Sequence, residues 1–450
     1  MPFPLKFSVE ESLAIDIEIQ RLLSIGAIEH SIHQKGEFIS NIFTRKKPNG
    51  KIRIIINLKP LNQYLTYTHF KMEHLDFVSE LVNKDDWFAS IDLTDAYFAV
   101  SIHQSHWKFL KFLWRGELYH YKCLSFGISQ SPYCFTRLCK PILAVLRGTY
   151  HLRCSLYIDD MILVSSSKCE LNSAVTVALE LLSDLGFTVN MDKSVLEPTR
   201  NIKHLGFMVD SRNLSFSIPR EKLELIRFGC TEILAKANHV KIRTVAKIIG
   251  QLVAYSQGAE WGRLHYRDLE REKIQALKSS RGDYDAHMTL SSKALENFRF
   301  WLSKDATIPR GFGHIQFEFI MSSDASKLGW GASCGNQNVG GRWHPDEAIM
   351  SINWLELYAC LLALKAFAAL VSNNRVSVKL DNLCAIHYIN NQGGVIESLN
   401  DLSREFWAWC KHMNVKVYAS HVPGVENTAA DFCSRHFKDN TEWSLSDDVF

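Results

Sequence analysis

The sequence predicts a mixed α and β protein of several domains. Its 450 residues are enough for about three domains, and 46% hydrophobic residues are enough to fill ordinary cores. Short apolar or alternating runs bounded by turn residues are interspersed with stretches of helical spacing. Several isolated acids directly follow the apolar runs. We therefore expect an α+β region containing a hairpin, followed by an α/β layer, with carboxylates at the strand ends.

Composition limits the class of protein and its cellular compartment but does not identify a function. The net charge of +3 is too small to indicate a nucleic-acid partner by itself. The 11 cysteines form no C-x-x-C pair, which argues against a zinc module or a disulfide scaffold. Residues 1–20 carry acids where a signal peptide needs an apolar core, and the apolar stretch 361–371 is too short to span a membrane. The sequence predicts a soluble intracellular protein with no membrane partner, in the cytoplasm or the nucleus.

The N-terminal region predicts a helix and then a basic hairpin. Ser8 and Glu11 have capping-box spacing, and helical periodicity continues to about Gly26. Residues 42–56 have the pattern strand, turn, strand, centred on 48–50. Five cations surround this turn: Arg45, Lys46, Lys47, Lys51 and Arg53. They are compatible with a solvated turn tip and equally with a phosphate-binding loop.

Two adjacent acids, Asp159 and Asp160, lie between the apolar runs 156–158 and 161–164. The pattern predicts a tight hairpin with the acids as its two-residue turn. Without Gly or Asn such a turn is strained, and neighbouring carboxylates repel unless a cation lies between them. A metal site at the hairpin tip and a solvated acidic turn are both compatible with these residues. The metal-site interpretation requires a third carboxylate.

Asp92 supplies that carboxylate, because it ends the apolar strand predicted over 87–93. Acids on two adjacent strands can bind a pair of hard cations. A further β-like run is predicted at 98–102. The Gly- and Ser-bearing loop 124–132 precedes a helix predicted over 133–146. Such a loop can lie close to a nucleotide.

The chain then predicts a helix over 170–185, capped by Gly186, and a strand pair over 204–210. An interrupted helical stretch runs from Pro219 to about residue 278, with cations that suit either a solvated face or a duplex-contacting face. A connector follows. The last region predicts strands, a long helix from 353, and five candidate functional residues: Asp324, Glu356, Asp381, His421 and Asp431. Singly, each acid is typical of a helix cap; together they suggest a metal–carboxylate centre.

These motifs resemble a known family. Residues 88–98, 125–132 and 157–160 resemble, in order, the polymerase motifs of retroelement reverse transcriptases. Residues 185–194 and 204–207 resemble the two segments that follow the metal hairpin in that family. The acids from Asp324 to Asp431, with His421 ten residues before the last of them, resemble a ribonuclease H domain. The closest subtype resemblance is to DIRS-like retrotransposons, with long-terminal-repeat elements next.

The resemblance implies an α+β right-hand polymerase of fingers, palm and thumb, followed by an α/β ribonuclease H-like domain. The implied boundaries are 1–34 for an N-terminal helical segment, 35–210 for fingers and palm, 211–278 for the thumb, 279–316 for a connector, 317–437 for ribonuclease H and 438–450 for a tail. Protease, zinc-knuckle, integrase-like and recombinase signatures are missing. The chain is therefore expected to be a piece of a larger pol polyprotein or a truncated genomic copy.

The resemblance also implies roles for individual polymerase residues. Asp92, Asp159 and Asp160 would hold two Mg²⁺ ions that activate the primer 3′-hydroxyl and neutralise pyrophosphate. Tyr97 would exclude the 2′-hydroxyl, and Lys193 would protonate pyrophosphate. The other residues implied to contact the deoxynucleoside triphosphate are Lys46 or Lys47, Arg53, Asp95, Phe126 and Gly127. Some retroviral enzymes carry Gln where this chain has Phe126, so that contact must differ.

For the C-terminal domain, the resemblance implies a second two-Mg²⁺ site. Its implied ligands are Asp324, Glu356, Asp381 and Asp431, and His421 would assist proton transfer or product release from a mobile loop. The implied partners are an RNA template, a DNA primer, the RNA:DNA hybrid and deoxynucleoside triphosphates. The implied activity is RNA- and DNA-directed DNA synthesis with ribonuclease H cleavage. An inactive or domesticated nucleic-acid-binding copy is the alternative. An RNA-synthesising polymerase is disfavoured by Tyr97 and by the ribonuclease H motifs.

Overall fold

The computed structural model describes residues 7–46, 52–236, 238–313 and 316–437, and for Lys46 and Arg53 it describes the backbone alone. Lys47 and the predicted tail 438–450 lie outside the described residues. The chain divides into two compact units. The first runs to Leu205 and includes Val209–Leu214, and the second comprises Gly206–Met208 and the chain from Ser215 onward.

The first unit mixes helices with short strands. Its helices are α1 (Val9–Ser24), α2 (Lys59–Asn62), α3 (Leu75–Leu81), α4 (Ser131–Gly148) and α5 (Lys168–Asp184). Its strands are β1 (Ile28–His30), β2 (Ile39–Ser40), β3 (Ile42–Lys46), β4 (Ile52–Ile56), β5 (Trp87–Asp92), β6 (Lys111–Trp114), β7 (Glu117–Tyr121), β8 (Arg153–Tyr157), β9 (Asp160–Ser165), β10 (Val195–Thr199) and β11 (Asn201–His204). Strand β12 (Phe207–Asp210) spans the boundary between the two units.

A four-stranded antiparallel sheet is central to the first unit, with the order β10-β5-β9-β8. The middle strands β5 and β9 carry runs of four buried residues because α4 and α5 pack on the sheet. Continuous burial, rather than alternation, matches the apolar runs in the sequence. Asp92 follows the buried run of β5, and Asp160 precedes the buried run of β9. The two residues lie directly opposite each other in the ladder.

Helix α1 begins and ends where the sequence predicts. The Ser8 hydroxyl accepts a hydrogen bond from the Glu11 backbone N–H, and the Glu11 carboxylate accepts one from the Ser8 N–H. The chain leaves the helix through Gly26, whose φ of 70° is a left-handed conformation that favours glycine. The predicted basic hairpin is also present as β3 paired with β4.

The strand predicted at 98–102 is wrong. Residues Ala96–Ala99 form a 3-10 turn, entered through Asp95 at a φ of 50°. The turn buries Tyr97 among the aromatic rings of Phe126 and Phe135, at centroid distances of 5.1 Å and 5.7 Å. Aromatic residues have a high strand propensity, but here packing decides the backbone conformation.

The second unit begins with a helical region and ends with an α/β layer. Its helices are α6 (Arg220–Ala235), α7 (Ile242–Tyr255), α8 (Arg267–Ser279), α9 (Ser292–Leu302), α10 (Pro345–Ala348), α11 (Ile352–Ala366), α12 (Ala368–Val371), α13 (Leu383–Asn390), α14 (Glu397–His412) and α15 (Thr428–Arg435). Its strands are β13 (Ser215–Ser217), β14 (Val240–Lys241), β15 (His287–Met288), β16 (Arg310–Gly311), β17 (Phe319–Ala325), β18 (Gly329–Cys334), β19 (Gln337–Arg342), β20 (Arg375–Leu380) and β21 (Lys416–His421).

Two hydrophobic cores dominate the second unit. Helices α6 to α9 share one core that extends from Ile218 to Ala306, across the boundary predicted at residue 278. The other core supports a five-stranded sheet of order β19-β18-β17-β20-β21. Its first three strands are antiparallel, whereas β20 and β21 run parallel to β17. The predicted α/β layer is therefore present, and the domain boundaries themselves stay predictions.

Asp268 on α8 is buried and binds cations from three helices. Its side chain is 2% exposed and forms ion pairs with Arg271, Lys293 and Arg404. The amides of Asn297 and Asn400 donate to the same carboxylate at 3.3 Å and 3.4 Å. Burial raises the pKa of Asp268, but Arg404, Lys293, Arg271 and the Asn297 amide lower it by more, so the net pKa lies below the usual range. This carboxylate ties α8 and α9 to α14.

No helix among the described residues is both long enough and apolar enough to cross a bilayer.

We expect Asp268→Asn to lower the free energy of unfolding by about 2–4 kcal/mol at pH 7, because it leaves three cations facing a buried neutral amide. Since the folded pKa of Asp268 is depressed, its contribution is complete above the unfolded value of about 3.9 and is lost as the pH falls through the folded pKa. Urea unfolding of the full chain between pH 7 and pH 3 measures both effects.

The matched control is Asp285→Asn, since Asp285 pairs with Arg243 at 2.7 Å on an exposed surface. Its unfolding midpoint should equal that of the wild type. Equal midpoints for Asp268→Asn and Asp285→Asn would contradict a structural role for Asp268.

Candidate active sites

The sheet of the first unit brings three predicted acids together. Asp92 ends β5 and Asp160 begins β9, and the two are register partners across the antiparallel ladder. Directly opposed residues project from the same face of a sheet, so these carboxylates are neighbours. Asp159 lies at the connection between β8 and β9, and its backbone C=O accepts a hydrogen bond from the Leu93 N–H at 2.8 Å. The three acids therefore share one end of the sheet.

The hairpin tip differs from the predicted Asp-Asp turn. Tyr157 pairs with Asp160, so the two-residue connection is Ile158-Asp159 and Asp160 belongs to the strand. Ile158 takes the positive φ, at 56°, which is unfavourable for a β-branched side chain. The ladder opposite Asp92 fixes Asp160 in the strand, so the strain falls on the preceding residues.

Each acid at this end of the sheet has a different electrostatic environment. Burial raises the pKa of Asp159, and the charges of Asp92 and Asp160 raise it further. Asp92 pairs with the Lys193 ammonium, with Nζ 3.2 Å from Oδ1. Asp160 lies 3.1 Å from His204 Nδ1 and accepts a hydrogen bond from the Leu205 N–H at 3.3 Å. Asp159 thus carries most of the uncompensated repulsion.

Local hydrogen bonds explain how Lys193 reaches Asp92. The Asn190 N–H donates to the Asp92 C=O at 2.8 Å, and the Asp92 N–H donates to the Ser194 hydroxyl at 3.0 Å. Residues 190–194 are thereby held against the end of β5. Ser194 belongs to the quoted segment 185–194, but the sequence suggested a role only for its neighbour Lys193.

A cavity of about 720 Å³ adjoins these acids within the first unit. Asp159, Lys193, Tyr97 and Phe126 all line it. Burial raises the pKa of the Tyr97 hydroxyl to about 12, so the ring is neutral. Gly127 has a φ of 110°, and a Cβ there would lie 3.0 Å from the Ile56 C=O, so glycine lets this loop approach β4 closely.

Asp95 is bound by a residue that sequence analysis missed. Arg21 Nη1 of α1 lies 2.6 Å from Asp95 Oδ2. The two residues are far apart in the chain and share no local motif, so no sequence pattern indicates the pair. Lys46 and Arg53 are placed by their backbones on β3 and β4, where Arg53 pairs with Arg45. Their side chains and the whole of Lys47 lie outside the described residues.

The second unit brings three of its four predicted acids together. Among the described residues, ligand oxygens of Asp324, Glu356 and Asp381 lie within 4.8 Å of one another. Asp324 is on β17, Glu356 is on α11, and Asp381 directly follows β20. Burial, followed by the charges of Asp324 and Asp381, raises the pKa of Glu356 to about 9. One Glu356 oxygen, Oε2, is buried with no hydrogen-bond partner in the described part of the chain.

Asp431 is not in this compact group. It lies on α15, and its Oδ1 pairs with Arg435 at 2.7 Å. Ser434, one turn along from Asp431, donates its hydroxyl proton to Asp324 Oδ2 at 2.7 Å. The pKa of Asp324 is raised, chiefly by burial and also by the charges of Asp381 and Asp431. The hydrogen bond from Ser434 acts in the opposite direction. The sequence indicated Asp431 but gave no sign of Ser434 or Arg435.

The predicted mobile loop does not contain His421. This histidine is the last residue of β21 and pairs with Leu380 in the parallel ladder, one position before Asp381. The strand extends because β20 gives it a continuous partner. The turn that follows is close to the acids, since a Cβ on Gly424 would lie 3.1 Å from Asp381 Oδ2.

The donor sets of both groups fit divalent metal ions. Carboxylate oxygens are the ligands that Mg²⁺ and Mn²⁺ prefer. In the second unit, the unpartnered Glu356 Oε2 and the convergence with Asp324 and Asp381 favour a bound cation. In the first unit, Asp92 and Asp160 on one face, with Asp159 beside them, present the same donor chemistry.

The antiparallel sheet with its acid-bearing hairpin, followed by a helical region and an α/β layer, is the architecture of a right-hand polymerase. Residues 44–209 match the family described as "Reverse transcriptase (RNA-dependent DNA polymerase)". The resemblance to reverse transcriptases that the motifs predicted is therefore confirmed for this part of the chain.

Curated relatives extend the similarity beyond this domain. The chain is 24% identical over 299 residues to the enzymatic polyprotein of Soybean chlorotic mottle virus, covering 65% of the chain and 40% of the relative. It is 21% identical over 455 residues to the retrovirus-related Pol polyprotein from transposon 297 of Drosophila melanogaster, covering 97% of the chain and 40% of the relative. The enzymatic polyprotein of Cauliflower mosaic virus (strain Strasbourg) is 23% identical over 450 residues, covering 96% and 62%. The chain thus spans roughly two fifths to three fifths of these relatives.

Solved structures confirm the predicted fold class. The foamy viral protease-reverse transcriptase in complex with an RNA/DNA hybrid matches with a TM-score of 0.59 and 15% identity, covering 99% of this chain and 56% of that one. The foamy viral protein described as dRH, in complex with double-stranded DNA, matches with a TM-score of 0.59 and 16% identity, covering 93% and 71%. The retroelement subtype stays a prediction.

We expect Glu356→Gln to raise the melting temperature in EDTA, because the substitution removes a carboxyl whose ionisation is opposed by burial and two acids. Since the folded pKa is raised to about 9, the stabilising contribution of Glu356 is complete below its unfolded value of about 4.3 and is lost as the pH rises towards 9. The gain from Gln should therefore grow between pH 5 and pH 8 in thermal melts.

Addition of Mg²⁺ should stabilise the wild type more than Glu356→Gln. Glu405→Gln is the control, since Glu405 lies on the exposed surface and pairs with Lys365 at 3.1 Å. A variant Glu356→Gln that melted below the wild type in EDTA at pH 7 would contradict the repulsion assigned to this group.

Proposed function

We propose that this chain is an RNA-directed and DNA-directed DNA polymerase that copies retroelement RNA, and that it also cleaves the RNA strand of RNA:DNA hybrids. The observation that carries the proposal is the opposition of Asp92 and Asp160 across a buried ladder, with Asp159 beside them at the edge of a cavity. Membership of residues 44–209 in the reverse transcriptase family supports the same conclusion.

In the polymerase site, Asp92, Asp159 and Asp160 would hold two Mg²⁺ ions. Bound metal would supply charge neutralisation for the primer 3′-oxygen and for pyrophosphate. Lys193 is within 3.5 Å of both Asp92 oxygens, so it is placed to donate a proton to the leaving group once metal competes for Asp92. His204 and Leu205 hold Asp160 in position, in a segment proposed to contact the primer terminus.

The cavity next to these acids would accept the deoxynucleoside triphosphate. Its volume of about 720 Å³ is in the range of small-molecule sites. Tyr97 packs against Phe126, which fixes the ring as a wall that would exclude a 2′-hydroxyl. Gly127 brings the loop to β4, the strand that carries Arg53. Arg53, with Lys46 or Lys47, is proposed to bind the triphosphate.

In the C-terminal layer, Asp324, Glu356 and Asp381 would hold the metal ions for RNA cleavage. Bound metal would activate water and stabilise the departing 3′-oxygen. Asp431 would join these ligands after release from Arg435. His421, at the end of β21, would assist proton transfer.

The proposed partners are an RNA template, a DNA primer, deoxynucleoside triphosphates and the RNA:DNA hybrid. Support comes from foamy viral neighbours that were solved with double-stranded DNA and with an RNA/DNA hybrid. Residues 35–210 would form fingers and palm, 211–278 the thumb, 279–316 a connector and 317–437 the ribonuclease H-like domain. Because the named relatives are polyproteins, further pol domains are proposed as neighbours of this chain.

Asp159→Asn should reduce primer extension on an RNA template by at least about 100-fold, because it removes one of three proposed metal ligands. Binding of the primer–template duplex should change little, since phosphate contacts dominate it. Single-turnover extension and duplex binding with purified protein measure the two effects. Asp184→Asn, an exposed acid at the end of α5, is the control. Extension by Asp159→Asn at the wild-type rate would refute the site, and no extension by wild type would favour an inactive copy.

Asp381→Asn should stop RNA cleavage and leave primer extension within about twofold of the wild type, because the two carboxylate groups occupy different folding units. Both activities can be read from one doubly labelled hybrid. Asp346→Asn, whose side chain is 92% exposed, is the matched control. Loss of both activities in a folded Asp381→Asn protein would contradict two separate centres.

A further inference from the structure

Helix α1 has a second apolar face that its own core does not use. Its inner face packs through Ile15, Ile19 and Leu22, which are at most 2% exposed. Leu13 and Ile17 are 60% and 63% exposed, yet they are four residues apart and therefore project from one side of the helix. Large exposed apolar side chains aligned in this way suggest a contact surface.

That second face borders the cavity next to the polymerase acids. Leu13, Ala14 and Ile17 line the same volume as Tyr97 and Asp159. Helix α1 also contributes the charged side chains of Glu10, Glu18 and Arg21 to this lining, so its wall has an apolar strip, Leu13 to Ile17, between charged groups. The apolar strip suits the flat body of a nucleoside triphosphate, and the charged groups of the cavity suit its polar parts.

One ion pair connects α1 to the turn that carries Tyr97. Arg21 in the last turn of α1 lies 2.6 Å from Asp95, with side chains 40% and 30% exposed. Asp95 occupies the N-cap position of the 3-10 turn Ala96–Ala99, but its side chain makes no capping hydrogen bond. Its carboxylate, which ordinarily caps such a turn, is directed to Arg21 instead.

The backbone of Asp95 is itself held in a restricted conformation at the start of this turn. Asp95 has a φ of 50°, and its C=O accepts the Phe98 N–H at 2.8 Å. A displacement of α1 would therefore shift Asp95, whose backbone conformation sets the direction of the turn that carries Tyr97. Arg21 also pairs with Glu18 at 2.8 Å, which restrains the guanidinium on its own helix.

We propose that α1 is a specificity-determining wall of the nucleotide cavity, and that Arg21 is a positioning residue that sets this wall relative to Tyr97 through Asp95. The inference rests on the proposed polymerase function and adds residues that the polymerase motifs do not include. Leu13 and Ile17 contact the apolar part of the bound nucleotide, while Arg21 itself contacts no reacting atom.

The first test is Arg21→Gln in the full chain, assayed for deoxynucleotide KM, kcat and ribonucleotide discrimination. KM should rise about two- to fivefold, the range expected for loss of a half-exposed ion pair, and discrimination should fall, while kcat changes less than twofold. Arg21→Lys should recover part of the KM effect. Asp95→Asn combined with Arg21→Gln should be no worse than the more severe single variant.

Arg115→Gln is the matched control, because Arg115 pairs with Asp16 of the same helix at 2.7 Å but does not line the cavity. Ile17→Ala tests the wall directly and should raise the deoxynucleotide KM. Val9→Ala is its control, since Val9 is 89% exposed and also lies outside the cavity lining. Melting temperature and duplex affinity should be unchanged in both controls.

A binding readout separates this inference from the proposed function. Wild-type protein is bound to a primer–template with a chain-terminated primer, and affinity for the next complementary deoxynucleoside triphosphate is measured with Mg²⁺. Weaker nucleotide affinity for Arg21→Gln and Ile17→Ala, with normal duplex affinity, supports the inference. Nucleotide binding by wild type with both variants unchanged overturns the inference alone. Absence of complementary-nucleotide binding by wild type overturns the proposed function and this inference together.

Discussion

Repulsion between carboxylates that the fold forces together is the constraint on which both candidate sites depend. Asp92 and Asp160 are opposed because they are register partners in the β5–β9 ladder, in which the buried runs of the two strands lie side by side. Burial and two neighbouring acids act in the same way on Glu356. The hydrophobic cores must therefore supply free energy that offsets this repulsion when no cation is bound. A bound cation would turn this repulsion into a net attraction, and folding stability would then depend on metal occupancy.

Two further groups of ion pairs have a different role, since they set the positions of whole helices. Asp268 holds α8 and α9 to α14 through three cations, and Arg21 holds α1 to the Asp95 turn. Buried ion pairs contribute little net stability compared with apolar packing, but they fix register where apolar side chains could slide. The positions of these helices therefore depend on residues that the quoted motifs do not include, Arg21 and Asp268 among them.

The sequence predicted the parts of the fold that are encoded locally. Apolar runs ending in an acid located β5 and β9, and the capping box at Ser8 located the start of α1. The pairs Arg21–Asp95 and Ser434–Asp324 join residues 74 and 110 positions apart, and no periodicity records such contacts. The strand predicted at 98–102 failed because packing of the Tyr97 ring outweighed strand propensity. The Ile158-Asp159 tip was missed because register, not turn preference, decides it.

The two clusters of acids differ in the groups that neutralise them, so a metal ion would compete with different partners at each cluster. In the first unit, Asp92 is paired with Lys193, and Asp160 is held by His204 and Leu205, so a metal ion would have to compete with the chain's own groups there. In the second unit, Glu356 has a buried oxygen with no partner among the described residues and a raised pKa, so a metal ion would compete chiefly with a proton. In the proposed polymerase reaction, displacement of Lys193 from Asp92 would free its ammonium beside the cavity, where it could protonate the leaving pyrophosphate. Proton competition at Glu356 would instead make metal binding in the second unit depend on pH.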